Sequence, residues 1–394
     1  MKNVIIGDIH LDTRSGDRNF LKYQETFFEI LYEYLEKNDD VERVIFLGDI
    51  FTNKDNINIK IMDTALNIMS KISSYDVEIV LIDGNHVIYY KNSYELNSVD
   101  VVFKNRSNLN IKEFRDKLII DNFLFVNWKN TKEEYDELFS NIDEPDEIEY
   151  VFGHFEMFGF MLTRFSENKN TKSMKSSDIS KYFPNIKQTI SGHYHTPQED
   201  GKVFYPGTPY QLSWNEAGLT LGFNVLEDGV MTFHLNPNDM YKNIHIIEVD
   251  NNNLVLSGPI SPSLPQTVFK GVKDLTSYVL GPDEEYKSYY RIRYDDLEFE
   301  KLINMLVKNV ETDGHKVTVI NNFELFSDTD IEEDDIELSE SKSSKNNSEM
   351  NMELIIKGYI YDSDIQEDDK DFFYELFMAL YEETRQELSQ NFEL

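Results

Sequence analysis

Five short polar clusters each follow an apolar run in this 394-residue chain: Gly7-Asp8-Ile9-His10, Gly48-Asp49, Gly84-Asn85-His86, Gly153-His154 and Gly192-His193-Tyr194-His195. The chain has 8 histidines, and five of them (His10, His86, His154, His193 and His195) fall in these clusters. Histidines scattered through a core or over a surface would not collect this way. A lone Asp-X-His or Gly-Asp is as often structural as functional; an ordered set of five is a much stronger signal. The side chains offer carboxylate oxygen, amide oxygen and imidazole nitrogen, with no sulfur. That mixture suits Mn²⁺, Fe²⁺ or Zn²⁺ better than Ca²⁺. Asp8, His10, Asp49, Asn85, His154, His193 and His195 make seven candidate ligands, enough for two adjacent divalent ions. Asp49 is the natural bridge because its carboxylate has two acceptor oxygens. Two metals about 3.5–4 Å apart activate a water and clamp both oxygens of an in-line phosphoryl displacement.

The clusters need elements to bring them together. Asn3–Ile6, Val44–Leu47, Val77–Ile82, Ile148–Phe152 and Gln188–Ile190 read as buried strands, by β-branched content and Gly-rich ends. Each runs into one of the clusters. Ligands of open α/β sheets bind beyond the carboxyl ends of the strands, so all five clusters are expected on one rim. Asn19–Glu36 carries Phe20, Tyr23, Phe27, Leu31, Tyr34 and Leu35 at helical spacing, and Ile59, Met62, Leu66, Met69 and Ile72 repeat the pattern. Glu227-Asp228-Gly229 separates two apolar runs as a hairpin turn would. The expected fold is an α/β or α+β layered domain over residues 1–238. Residues 239–326 read as a smaller α+β unit, with strand Tyr289–Tyr294, helix Leu297–Val307 and strand Lys316–Ile320. Residues 327–350 read as an acidic, solvated insertion, and 351–394 as helical, with a stripe through Phe372, Phe373, Leu376, Phe377 and Leu380.

The composition bounds the function. Asp and Glu number 73 against 38 Lys and Arg, for a net charge of −35. About half of that excess lies in residues 321–394, which hold 22 acids and 5 bases. The balance argues against a broad basic surface for nucleic acid, but leaves room for a local site that grips phosphate through metals. There is no cysteine, hence no disulfide, thiolate zinc site or cysteine nucleophile, as suits a reducing cytosol. Hydrophobic residues at 40% and aromatics at 13% exclude a wholly disordered chain. No apolar run approaches the ~20 residues of a membrane span, and the N-terminus does not read as a signal peptide.

The order of the clusters resembles the calcineurin-like metallophosphoesterases over about the first 215 residues. Gly48-Asp49-Ile50-Phe51, the Tyr89-Tyr90-Lys91-Asn92 and Leu96-Asn97-Ser98 segments, and Tyr205 to Trp214 (YPGTPYQLSW) are similar to the SbcD-type DNA repair nucleases, in particular the phage recombination endonuclease subunit. The resemblance implies a metallophosphoesterase β-sandwich flanked by helices, with a smaller capping domain and C-terminal helices. It implies Asp8, His10, Asp49 and His195 around one metal, and Asp49, Asn85, His154 and His193 around the other. His86 would contact the scissile phosphate and help protonate the leaving oxygen, a task that fits imidazole. The metals would be Mn²⁺, with Mg²⁺ as the other candidate. The partners implied are DNA ends or single strands, an SbcC-like coiled-coil ATPase docked by the C-terminal helices, and a second copy of the chain in a homodimer. Val87 stands where the family motif usually has Asp, and Thr52 where cellular members often carry His. Two other readings compete: a phosphoesterase acting on phosphoproteins, cyclic nucleotides or small esters, which the core motifs also permit, and a non-catalytic scaffold, which the intact ligand set disfavours.

Overall fold

The computed structural model describes residues 2–90, 93–163, 166–250, 253–257, 267–269, 286–294 and 300–321. The chain divides into two compact units, Met1–Ser327 and Asp328–Leu394. The acidic stretch 327–350 and the expected docking helices of 351–394 lie outside the described residues.

Two six-stranded sheets carry the candidate site. In the first, the strands run in the order Val230–Leu235, Gly222–Glu227, Lys2–Ile6, Val41–Phe46, Glu78–Leu81, Ile111–Lys112. Its last four strands are parallel, and the two C-terminal ones join antiparallel beside Lys2–Ile6. In the second sheet the order is Gln198–Glu199, Val203–Tyr205, Gln188–Ser191, Tyr150–Gly153, Phe123–Val126, Lys117–Ile120, with the middle four strands parallel.

The sheets pack face to face. Ile5, Ile45, Leu47, Val80 and Ile82 from the first meet Phe123, Phe125, Phe152 and Ile190 from the second in one buried cluster. The outer face of the first sheet is covered by helices Arg18–Lys37 and Ile59–Ser73, and that of the second by Lys132–Ser140 and the short Ser176–Ile179. The result is a four-layered α/β sandwich. Strands buried on both faces explain why their sequences are unbroken apolar runs rather than alternating ones.

Helix Arg18–Lys37 starts where Asp17 accepts hydrogen bonds from the Asn19 and Phe20 amides, both at 3.0 Å. Such a cap satisfies amides that have no partner within the helix. Phe20, Tyr23, Phe27, Leu31 and Leu35 form its buried stripe, as their spacing predicts. The Asp228-Gly229 turn has positive φ at both residues, 49° and 81°, the conformation a two-residue hairpin needs.

A third sheet has the order Thr267–Phe269, Asn253–Ser257, Tyr241–Asp250, Tyr289–Tyr294, Lys316–Asn321, with helix Glu300–Thr312 beside it. It meets the sandwich through side chains that reach backbone. Asn19 exchanges two hydrogen bonds with Lys287, at 2.6 and 2.7 Å, and Gln211 accepts from the Tyr241 amide at 2.7 Å. The Arg291 guanidinium lies 4.1 Å from the centre of the Trp214 ring.

Candidate metal centre

Each cluster begins where its strand ends. Lys2–Ile6 delivers Asp8 and His10, Val41–Phe46 delivers Asp49, and Glu78–Leu81 delivers Asn85 and His86. From the second sheet, Tyr150–Gly153 delivers His154 and Gln188–Ser191 delivers His193 and His195. Because these strands run parallel within their sheets, their ends converge across the sandwich.

The ligand-type atoms of Asp8, His10 and His195 lie within 4.8 Å of one another, and so do those of Asp8, Asp49 and His154. Asn85 closes the second group: its Oδ1 is 3.0 Å from His154 Nε2 and 3.1 Å from His193 Nδ1. His193 belongs to neither three-residue group and reaches the centre through Asn85. His86 stands beside the groups, its backbone amide donating to Asp49 Oδ1 at 3.0 Å.

The backbone is bent to achieve this. His10, Asp49 and His193 have φ of 40°, 40° and 93°, in the region that side chains rarely adopt. Strain of this kind persists only where the surroundings enforce it, and it clusters at working sites. Glycines give the room: a Cβ on Gly84 would run into the Asp49 carboxylate, and one on Gly48 into the His154 ring.

The polar atoms fit a metal pair. His154 Nδ1–H donates to the Leu47 carbonyl at 2.9 Å, so in the neutral ring Nε2 is an acceptor. That nitrogen faces two further acceptors, Asn85 Oδ1 and, at 3.2 Å, Asp49 Oδ2. Such a crowd of acceptors needs a positive species between them, either a proton on His154, which its raised pKa supplies, or a metal ion in that proton's place. Asp8 Oδ1 and His10 Nε2 are buried without any hydrogen-bond partner among the described residues, a costly state unless something binds there.

Two further rings, those of His10 and His195, are held from behind. His10 Nδ1 meets the Thr52 hydroxyl at 2.9 Å, and His195 Nδ1 lies 3.5 Å from Glu216. Such outer partners fix which nitrogen faces a metal.

Electrostatics follow from burial and crowding. Burial favours a neutral Asp49 carboxyl, but His154, His86 and His10 outweigh it and hold it well below the usual carboxylate range. Burial works against charge on His154, yet Asp49 and Asp8 raise it to about 9. Burial lowers His10 and His193. For Asp8, burial raises the carboxyl against the pull of His154.

A model of the calcineurin-like phosphoesterases matches residues 1–197, half of the chain. The chain belongs to the calcineurin-like phosphoesterase family. As a phosphoesterase it hydrolyses phosphoester bonds, and its family binds two divalent metals. The chain is 26% identical over 250 residues to "Exonuclease subunit 1" of Enterobacteria phage T4, covering 62% of this chain and 70% of the phage protein. A solved structure of a dimetal phosphatase from Danio rerio aligns with a TM-score of 0.34 and 11% identity, over 68% of this chain and 98% of that one. Among the described residues, no helix is long and apolar enough to cross a membrane.

Four residues at this phosphoesterase centre lie outside the candidate ligands read from the sequence, where Thr52 stands out only as a departure from the family pattern. Glu216 is buried behind His195, and Ser213 donates to it through both backbone and hydroxyl, at 2.7 and 2.9 Å. Asp12 accepts from the Thr52 and Asn53 amides and so fixes the loop after Asp49. Thr52 then serves two histidines, its hydroxyl meeting His10 and its carbonyl accepting from His86 Nδ1 at 3.1 Å. Trp128 lies against the rings of His193 and His154, with centroids 5.4 and 5.8 Å away. At position 87 the fully buried Val87 contributes to the core, and a backbone carbonyl orients the His86 ring in place of an acid.

Proposed function

We propose that this chain is the nuclease subunit of a DNA-processing complex and cleaves DNA phosphodiesters at the centre formed by the five strand ends. Asp8, His10, Asp49 and His195 hold one divalent ion; Asp49, Asn85, His154 and His193 hold the other, with Asp49 bridging. Bound there, a Mn²⁺ or Mg²⁺ pair supplies Lewis acidity toward the phosphodiester and lowers the pKa of water.

His86 is the proton donor. Its Nδ1–H is engaged by the Thr52 carbonyl, so it acts as the imidazolium: Nε2–H passes its proton to the departing 3′-oxygen when the P–O bond breaks, leaving the neutral ring still bonded to Thr52. Residues 239–326 act as a cap that shapes the DNA face, and 351–394 dock on a coiled-coil ATPase, in a complex with two copies of each chain.

The observation that carries the DNA reading is the likeness to the phage exonuclease subunit, which extends over 62% of this chain. The test is a cleavage assay on single-stranded and duplex-end DNA with Mn²⁺ or Mg²⁺, with and without the ATPase, beside bis-p-nitrophenyl phosphate and a small phosphomonoester. Metal-dependent DNA cleavage that chelation abolishes is the expected result. Hydrolysis of the small esters with no cleavage of DNA, with the ATPase present, would assign the chain to another phosphoesterase class.

A further inference from the structure

The segment immediately after His86 forms a short hairpin, Ile88–Tyr90 paired with Ser93–Asn97. Its base is rigid. Val87 and Ile88 are buried, the Ser98 amide donates to the Val87 carbonyl at 3.0 Å, and the Asn97 side chain donates to Asp83 at 3.1 Å. Its second strand is tied to the start of helix Lys132–Ser140 and the loop before it, with the Tyr94 hydroxyl donating to Glu134 and accepting from the Asn130 amide.

Its first strand is different. Tyr89 and Tyr90 are 42% and 52% exposed and lean on each other edge to face, with ring centres 4.8 Å apart. Among the described residues, the only other large aromatic side chain this exposed is Phe233, on the far edge strand of the first sheet. Three residues of extended chain span at most about 10 Å, so Tyr89 stands within one or two nucleotides of the phosphate that His86 would meet.

We propose that Tyr89 and Tyr90 form a stacking platform for an unpaired nucleobase next to the scissile phosphate. This rests on the DNA reading given above and adds a selection for single-stranded or frayed substrate. The charge of the chain favours that occupant. With 73 acids against 38 bases, the protein is poor in cations to hold the sugar-phosphate chain, whereas a base stacks on an aromatic ring without opposite charge. The pre-fixed hairpin base means that little backbone freedom remains to be lost on binding.

The test compares full-length wild type with Tyr89→Ala, Tyr90→Ala and the double variant, all loaded with Mn²⁺. Two substrates are used: a single-stranded oligonucleotide and bis-p-nitrophenyl phosphate, which has no base to stack. The expected result is an oligonucleotide KM raised about 10-fold or more, the usual scale of base–aromatic stacking, so that the preference for oligonucleotide over the small diester falls by the same factor. Tyr→Phe at both positions keeps the preference. An oligonucleotide with an abasic residue beside the cleaved bond is bound equally by wild type and double variant.

An unchanged preference in the double alanine variant overturns the platform, and so does a shift in light-scattering mass that makes the hairpin an interface between copies. If the wild type hydrolyses the small diester and never cuts DNA, it is the DNA reading itself that fails.

Discussion

His86 and Glu216 support the centre in different ways, and their substitutions should separate cleanly. His86 is proposed as a proton donor and not as a ligand. His86→Ala is expected to retain the metals, measured by bound-metal analysis, while cleavage falls by about 10²–10⁴. A variant that loses both metals would make His86 a ligand. Glu216 reaches the centre only through His195. Glu216→Gln should weaken metal affinity by about 10–100-fold, read by titration calorimetry with Mn²⁺, and excess metal should restore most of the activity. The candidate ligands were legible in sequence because each follows a glycine-marked strand end. Their supports were not. Thr52 meets His10 across 42 positions and Asp12 reaches the Thr52 amide across 40, and a hydroxyl or carboxylate at that remove carries no local pattern. The backbone carbonyl that orients His86 has no sequence signature at all.

At the scale of elements, an aromatic pair on neighbouring strands holds the inner face of the second sheet. Phe125 and Phe152 stack with ring centres 5.0 Å apart and an interplanar angle of 19°, and both are fully buried. Phe125→Ala should cost about 3–5 kcal/mol of stability, measured as a lower urea midpoint with an unchanged slope. The hairpin that carries Phe125 is also among the parts of the sandwich that the sequence reading did not anticipate, together with the short strands Ile111–Lys112, Gln198–Glu199 and Val203–Tyr205. Lys117–Ile120 and Phe123–Val126 flank Asp121-Asn122, with Asp121 at φ 54°, which is a hairpin signal. The five recognised strands were those that ended in chemistry; this one leads into Asn127 and Trp128 instead. The five strands that end in chemistry were legible from apolar runs, as were the flanks of the Asp228-Gly229 turn, and helix Arg18–Lys37 from its spacing. The pairing of the strands into two facing sheets was not, because a strand buried on both sides has no periodicity to say which face meets which neighbour.

For the molecule as a whole, charge decides both binding and pH response. A phosphate site built from metals and imidazoles rather than a lysine-rich face should show a shallow salt dependence: a slope of about −2 to −3 in log affinity against log salt, measured by fluorescence anisotropy on single-stranded DNA. A steep slope would reveal a basic face. Acid sensitivity has a definite locus. Burial pushes the Glu78 carboxyl up, but Lys112 and Arg43 outweigh it and hold it below its ordinary value of 4.5. Arg43 also reaches Asp121 at 3.1 Å, which ties the first sheet to the second. A carboxyl depressed in the folded state adds stability above 4.5 that is lost as the pH falls below it. Glu78→Gln should therefore flatten the fall of the urea midpoint between about pH 5 and 3.

The same crossing of sheets at the centre bears on how inactive alleles would behave in cells. His154 grips Leu47 across 107 positions and the His193 amide grips Asp8 across 185, so these residues are fasteners of the sandwich as well as candidate ligands. An allele such as His154→Ala would lower the amount of protein together with its chemistry, and a null phenotype could not be assigned to either. His86, which takes no part in that fastening through its ring except at the Thr52 carbonyl, is the position at which a catalytically silent protein should still accumulate. It is therefore the one suited to dominant-negative experiments.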